Sequence, residues 1–128
     1  MGDGFSTDLW PTEIRLKQAE KILEVDFDDG QSFAFPAELL RVESPSAEVQ
    51  GHMPSQKQII AGRRHVGIVG LDPVGNYAVR ITFDDLHDTG IYSWQYLYEL
   101  GQNHDRIWQE YLAALAAQGL SRDPRAHG

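Results

Sequence analysis

The sequence predicts an α+β fold: a mostly antiparallel sheet made from two hairpins, with two or three helices packed on it. The main reason is an internal repeat. Phe27-Asp28-Asp29-Gly30-Gln31-Ser32-Phe33-Ala34-Phe35-Pro36-Ala37-Glu38-Leu39-Leu40 returns, altered, as Phe83-Asp84-Asp85-Leu86-His87-Asp88-Thr89-Gly90-Ile91-Tyr92-Ser93-Trp94-Gln95-Tyr96-Leu97. In each copy an alternating apolar segment ends in Phe-Asp-Asp, turns, resumes with aromatic residues and enters a helix-like segment with leucine at equivalent places. The second copy adds a histidine, one inserted residue and a heavier aromatic load. Two strand-turn-strand-helix units packed against each other make such a layered domain. The other reason is helical period after the second copy, ending in a stretch long enough for a covering helix.

Residues 1–10 are polar and glycine-rich and are expected to form a flexible arm ending at Trp10-Pro11. Thr12 to Lys17 alternates, with Ile14 and Leu16 on one face, as a half-buried strand does. A turn through Gln18 to Lys21 leads to Ile22–Phe27, where Leu23, Val25 and Phe27 share a face opposite Glu24 and Asp26. Asp29-Gly30 is a hairpin signal, because glycine accepts the positive φ of a tight turn. Ser32 to Phe35 returns, and Pro36 to Arg41 should form one short helix with proline at its first position and Glu38 near the positive end of the dipole.

Residues 42–62 show little periodicity, and loops of that length inside a compact domain are often functional. His65 to Leu71 and Tyr77 to Phe83 are predicted as a second hairpin joined by Asp72-Pro73-Val74-Gly75-Asn76, with Tyr77, Val79, Ile81 and Phe83 on one face and Arg80 and Thr82 on the other. Tyr92 to Gly101 is expected to be a helix, with Trp94, Leu97 and Tyr98 along one side and Gly101 as its stop. A longer helix should span Asp105 to Gln118, with Asn103 or Asp105 as cap and Gly119 as stop. Its Ile107, Trp108, Tyr111, Leu112 and Leu115 make a core-facing stripe. Residues 11–118 are thus one domain, and 119–128 a flexible tail.

Composition narrows the functions. A chain of 128 residues supports one modest core. The absence of cysteine removes disulfides, thiolate nucleophiles and cysteine-ligated zinc or iron–sulfur clusters. A net charge of −8 argues against nucleic acid, whose backbone is bound through Lys and Arg. The one compact basic cluster, Gly62-Arg63-Arg64-His65, is read as a solvated loop, with a phosphate or acidic-partner contact as its alternative. There is no apolar run long enough to span a membrane, and the first residues lack the basic start and apolar core of a signal peptide, so the cytoplasm is expected.

Catalytic motifs are weak. Asp28-Asp29 and Asp84-Asp85 are paired acids at strand ends, which is ordinary turn chemistry. Ser44, Ser46 and Ser93 lack a glycine-framed elbow or an assignable base. Gly67, Gly70 and Gly75 fall within a hairpin and lack the strand-to-helix order of a phosphate loop.

Over residues 11–116 the chain resembles the gamma-butyrobetaine hydroxylase-like N-terminal domain family, formerly domain of unknown function 971, in its stand-alone bacterial type. The resemblance is carried by Trp10-Pro11, the Phe-Asp-Asp-Gly turn, Phe35-Pro36-Ala37-Glu38-Leu39-Leu40-Arg41 and the Asp-x-His-Asp-Thr-Gly-Ile-Tyr-Ser-Trp segment. Ser44-Pro45-Ser46-Ala47-Glu48-Val49-Gln50-Gly51-His52 also looks like the corresponding bacterial loop. In the hydroxylase form, three cysteines after the helix bind a structural zinc together with the histidine of the second copy. Here those cysteine positions hold Ser44, Ser46 and Val49, and only His87 remains, so that closed site is not expected to form.

The oxygenase activity of the hydroxylase resides in another domain with a His-x-Asp/Glu facial triad. None of His52, His65, His87 or His104 is followed two residues later by an acid, and the chain ends before such a domain would fit. The resemblance therefore implies a non-catalytic, uncharacterised accessory or interaction domain without cofactor, binding an unknown protein partner. Fusion of this domain type to Mrp-like P-loop ATPases links it to iron–sulfur or iron metabolism. The expected partner surface comprises Glu43, Ser44, Ser46, Glu48, Tyr92 and Trp94. One alternative is a zinc- or iron-binding module using His87 and His52, with a carboxylate from Glu43, Glu48 or Asp85. Another is a small enzyme with an unrecognised site.

Overall fold

The computed structural model describes residues 10–45, 59–85 and 90–123. Their elements run β1 (Pro11–Lys17), β2 (Ile22–Phe27), β3 (Ser32–Pro36), α1 (Ala37–Val42), β4 (Ile68–Val74), β5 (Ala78–Phe83), β6 (Gly90–Ser93), α2 (Trp94–Gln102) and α3 (His104–Ala117). The fold is α+β, and its strands form two three-stranded antiparallel sheets, β1-β2-β3 and β4-β5-β6. Leu23, Val25, Phe27 and Phe35 of the first sheet join Val79, Ile81, Phe83 and Tyr92 of the second in one core. No helix among the described residues is long and apolar enough to cross a membrane.

The two sheets repeat each other position by position. Leu23 faces Phe35 and Val25 faces Phe33, just as Val79 faces Tyr92 and Ile81 faces Gly90. In the outer strands Ile14 faces Val25 and Leu71 faces Ile81, and both β1 and β4 carry an irregularity at the matching place, between Pro11 and Glu13 and between Ile68 and Gly70. Turn closure matches too. The Asp28 amide donates to the Trp10 carbonyl at 3.0 Å and that of Asp84 to Gly67 at 2.9 Å; the Ala37 amide donates to Lys21 at 2.9 Å and that of Trp94 to Tyr77 at 3.1 Å. Phe35 therefore corresponds to Tyr92, Leu39 to Tyr96, Arg41 to Tyr98, Glu43 to Leu100 and Ser44 to Gly101.

Several expectations shift in detail. β4 runs through Asp72-Pro73, which the sequence marks as a turn. An edge strand tolerates proline where its missing N–H would face outward, and Pro11 and Pro36 also lie on edge strands. Tyr77 lies outside β5 and is exposed, while Ala78 is buried. Gly90–Ser93 is a strand, so Tyr92 is not helical: cross-strand bonds to β5 override the helical spacing of its aromatic neighbours.

Gly101 does not end α2. It lies inside the helix, where a Cβ would collide with the Phe33 ring. Asn103 lies at the junction of α2 and α3, but its side-chain amide donates back to the Glu99 carbonyl at 2.8 Å and caps nothing in α3. Gly119 follows α3 with φ +67°, as a stop requires. Just beyond it, Ser121 and Arg122 accept backbone hydrogen bonds from Gly62 and Arg64, both at 2.9 Å. Arg122 also grips the buried Glu38 carboxylate at 2.7 and 2.9 Å. Residues 120–123 of the expected tail thus strap the loop before β4 to α1.

Candidate functional site

The halves meet at two junctions made from corresponding residues, each closing a Phe-Asp-Asp turn of one half with the helix of the other. At the first, the Tyr98 hydroxyl of α2 donates to Asp29 Oδ2 and holds that carboxyl below its ordinary range. The Tyr98 ring meets Phe27 and Phe33 edge-on at 5.2 and 5.5 Å, and Phe33 lies over Gly101. Phe35, Leu39, Leu97 and Leu100 complete an apolar contact.

At the second junction, Arg41 of α1 takes the place of Tyr98, and its Nε donates to Asp85 Oδ2 at 2.8 Å. Arg63 Nε reaches the same oxygen at 2.9 Å. The Tyr92 hydroxyl donates to the Leu40 carbonyl and is hydrogen-bonded to the Ser44 side chain; the Tyr96 hydroxyl donates to the Glu43 carbonyl at 2.5 Å. Burial pushes the pKa of both phenols above its ordinary value. A Cβ on Gly90 would meet the Tyr92 ring at 2.7 Å and Ser44 Oγ at 3.1 Å, so glycine is what admits this polar cluster.

Where the first junction has Phe35, Leu39, Tyr98, Leu100 and Gly101, the second has Tyr92, Tyr96, Arg41, Glu43 and Ser44. Arg41, Glu43 and Ser44 are 7%, 6% and 0% exposed. Burying such groups is costly, and apolar replacements of buried ion pairs are often no less stable. The first junction shows that this backbone closes without them.

Arg41 Nη1 and Arg63 Nε are, in addition, buried with no hydrogen-bond acceptor among the described residues. Beside this junction, Val42, Glu43, Ile59 and Ile60 face Ile107 and Tyr111 of α3 across a cleft of roughly 230 Å³. The Tyr111 hydroxyl donates to the Ile60 carbonyl at 2.6 Å, and burial pushes its pKa up to about 12.

Of the residues expected at the site, Glu43, Ser44 and Tyr92 come together here, with Asp85 closing the turn. Trp94 does not join them: its Nε1 donates to the Asn76 carbonyl at the β4–β5 turn, at 3.1 Å. Ser46, Glu48, His52 and His87 lie outside the described residues. Arg41 and Tyr96 were missed, and Arg63 was weighed only as a lesser alternative. The repeat held a signal for the first two, since a charge and a phenol stand where the other copy has Tyr98 and Leu39. Arg63 was visible only as part of a basic loop.

No group of three His, Asp, Glu or Cys among the described residues is placed to hold a metal. Ser44, at one of the hydroxylase's zinc-cysteine positions, is a fully buried neutral hydroxyl engaged by Tyr92. With Ser46 and Val49 at the other two positions, the donor set does not fit structural zinc.

A family profile described as gamma-butyrobetaine hydroxylase-like, N-terminal, matches residues 14–98. One protein solved by NMR in solution is 47% identical, with a TM-score of 0.78, over 92% of this chain and 93% of that one. A second NMR structure is 43% identical, with a TM-score of 0.80, over 99% and 100%. A crystal structure of a protein of unknown function of the DUF971 family, from Acidithiobacillus ferrooxidans ATCC 23270, is 42% identical, with a TM-score of 0.61, over 71% and 91%. No curated protein matches the chain.

Proposed function

Because the chain belongs to the gamma-butyrobetaine hydroxylase-like N-terminal family, whose matched DUF971 relative is itself of unknown function, we propose that it is a non-catalytic interaction module that engages a protein partner at the second junction. The observation that carries this reading is the contrast between the two junctions: one backbone arrangement, closed once by an exposed hydroxyl–carboxylate bond over apolar groups and once with buried Arg41, Glu43 and Ser44. Buried polar groups are costly to place where apolar ones close the equivalent junction, and a role in binding accounts for them.

The accessible part of the junction is the Arg63–Asp85 pair, whose side chains are 35% and 23% exposed. Arg63→Glu should leave the fold intact and abolish capture of one reproducible, identified protein from cell extract. Glu13→Lys, on the outer face of β1, should leave that capture unchanged. Equal capture by both variants removes the proposal. Stoichiometric zinc or iron retained through desalting, and lost in His87→Ala, would replace it with the metal-binding reading.

A further inference from the structure

Two guanidiniums converge on one carboxylate oxygen at the second junction, with Arg41 Nε at 2.8 Å and Arg63 Nε at 2.9 Å from Asp85 Oδ2. A guanidinium offers five donors in a planar fork suited to two-oxygen acceptors. Arg41 uses its Nε, while its Nη1 is buried without an acceptor among the described residues. Arg63 uses Nη1, which donates to the Ala61 carbonyl at 3.2 Å; its Nε is near Asp85 but not aligned to donate. Arg41 and the backbone that carries Arg63 are held in place. Arg41 lies on the wholly buried α1, and the Arg63 loop is strapped by the Gly62–Ser121 and Arg64–Arg122 backbone bonds.

Arg64, the other arginine of the basic cluster, is turned away and paired with Asp123. Arg15 offers a comparison: its Nε, Nη1 and Nη2 are all taken by Glu24 and Asp26. Buried guanidinium donors without acceptors are uncommon, because each forfeits its hydration.

We propose that Arg41 and Arg63 form an oxyanion site for a carboxylate or phosphate group carried by the partner. This rests on the interaction reading above and names the chemistry of its contact. The oxyanion accepts from Arg41 Nη1 at the floor of the site and from Arg63 at its entrance. It enters by displacing the Arg63 head from beside Asp85, which also separates the two like charges. The nearby carboxylates of Asp85 and Glu43 keep the local field weak, so recognition comes from directed, charge-assisted hydrogen bonds. A free anion therefore binds weakly, and a partner's oxyanion binds with help from its other contacts.

The test is to titrate inorganic phosphate and acetate separately into isotopically labelled full-length chain, at constant ionic strength set by chloride, following the arginine Nε–H NMR signals. Saturable shifts confined to Arg41 and Arg63, with Arg15 and Arg106 unmoved, are expected for at least one anion; whichever saturates identifies phosphate or carboxylate. Arg63→Gln should weaken that binding about tenfold, with the rest of the spectrum showing a retained fold even if Arg41→Gln does not fold. Linear shifts spread over all arginines would mean an ion atmosphere and overturn the site. If no oxyanion binds while Arg63→Glu still abolishes partner capture, the oxyanion site falls and the interaction reading stands; if partner capture is also indifferent, both fall.

Discussion

The two junctions differ in chemistry far more than in geometry. Each closes the second acid of a Phe-Asp-Asp turn with the fifth residue of the opposite helix, Tyr98 on Asp29 and Arg41 on Asp85. Around the first, the contact is aromatic and aliphatic, with one hydroxyl and one exposed carboxylate. Around the second, an arginine, two phenols, a serine and a glutamate fill the corresponding positions, and Arg63 joins from the loop before β4. A duplicated fold supplies its own reference: whatever both copies share is what the architecture needs, and whatever one copy alone carries invites a functional explanation.

The comparison is broken most forcefully at position 101. Gly101→Val drives a branched side chain into the Phe33 ring and should cost about 3 kcal/mol. Adding Phe33→Ala should recover part of that loss in denaturant melts; no recovery in the double variant would mean that the close approach of ring and helix is not the cause.

Exchanging Phe35 and Tyr92 sharpens it further. Phe35→Tyr places a hydroxyl in the apolar junction and should cost about 2 kcal/mol. Tyr92→Phe leaves the Leu40 carbonyl without its donor and should cost about 1 kcal/mol. The reverse order would show that the apolar junction accepts polar groups as readily as the other.

The smallest effect is on acid stability. Hydrogen bonds from Tyr98 and from the Gln31 backbone depress the Asp29 pKa in the folded protein. A depressed carboxylate contributes stability that is present above its unfolded value of 3.8 and is lost as pH falls through the lower folded value. Tyr98→Phe should therefore be less stable than the parent at neutral pH, with the gap closing in acid. A gap independent of pH would assign the role of Tyr98 to its ring packing alone.

Much of this was legible beforehand. The strand Ile22–Phe27 coincides with β2, and the Asp29-Gly30 turn has Gly30 at φ +91°. Both follow from alternation and from backbone freedom at glycine, which act over a few residues. β6 was hidden because Gly90-Ile91-Tyr92-Ser93 is short and flows into a true helix; its state is settled by β5, some ten residues earlier in the chain. Gly101 read as a helix stop because that is the commoner local use of glycine, whereas its actual reason is a ring from β3. Of the expected partner residues, the described ones gathered where the repeat changes character, except Trp94, whose indole is claimed by Asn76.

By itself, the sequence determined the α+β class, the duplicated unit and the family, because hydrophobic period, turn chemistry and a repeated motif are properties of short windows of chain. Only the tertiary structure decided that each half clasps the turn of the other, so that Arg41 meets Asp85 and Tyr98 meets Asp29. Those pairs are 44 and 69 residues apart. Contacts at such separations are selected by packing and by burial of polar groups, which no local pattern encodes.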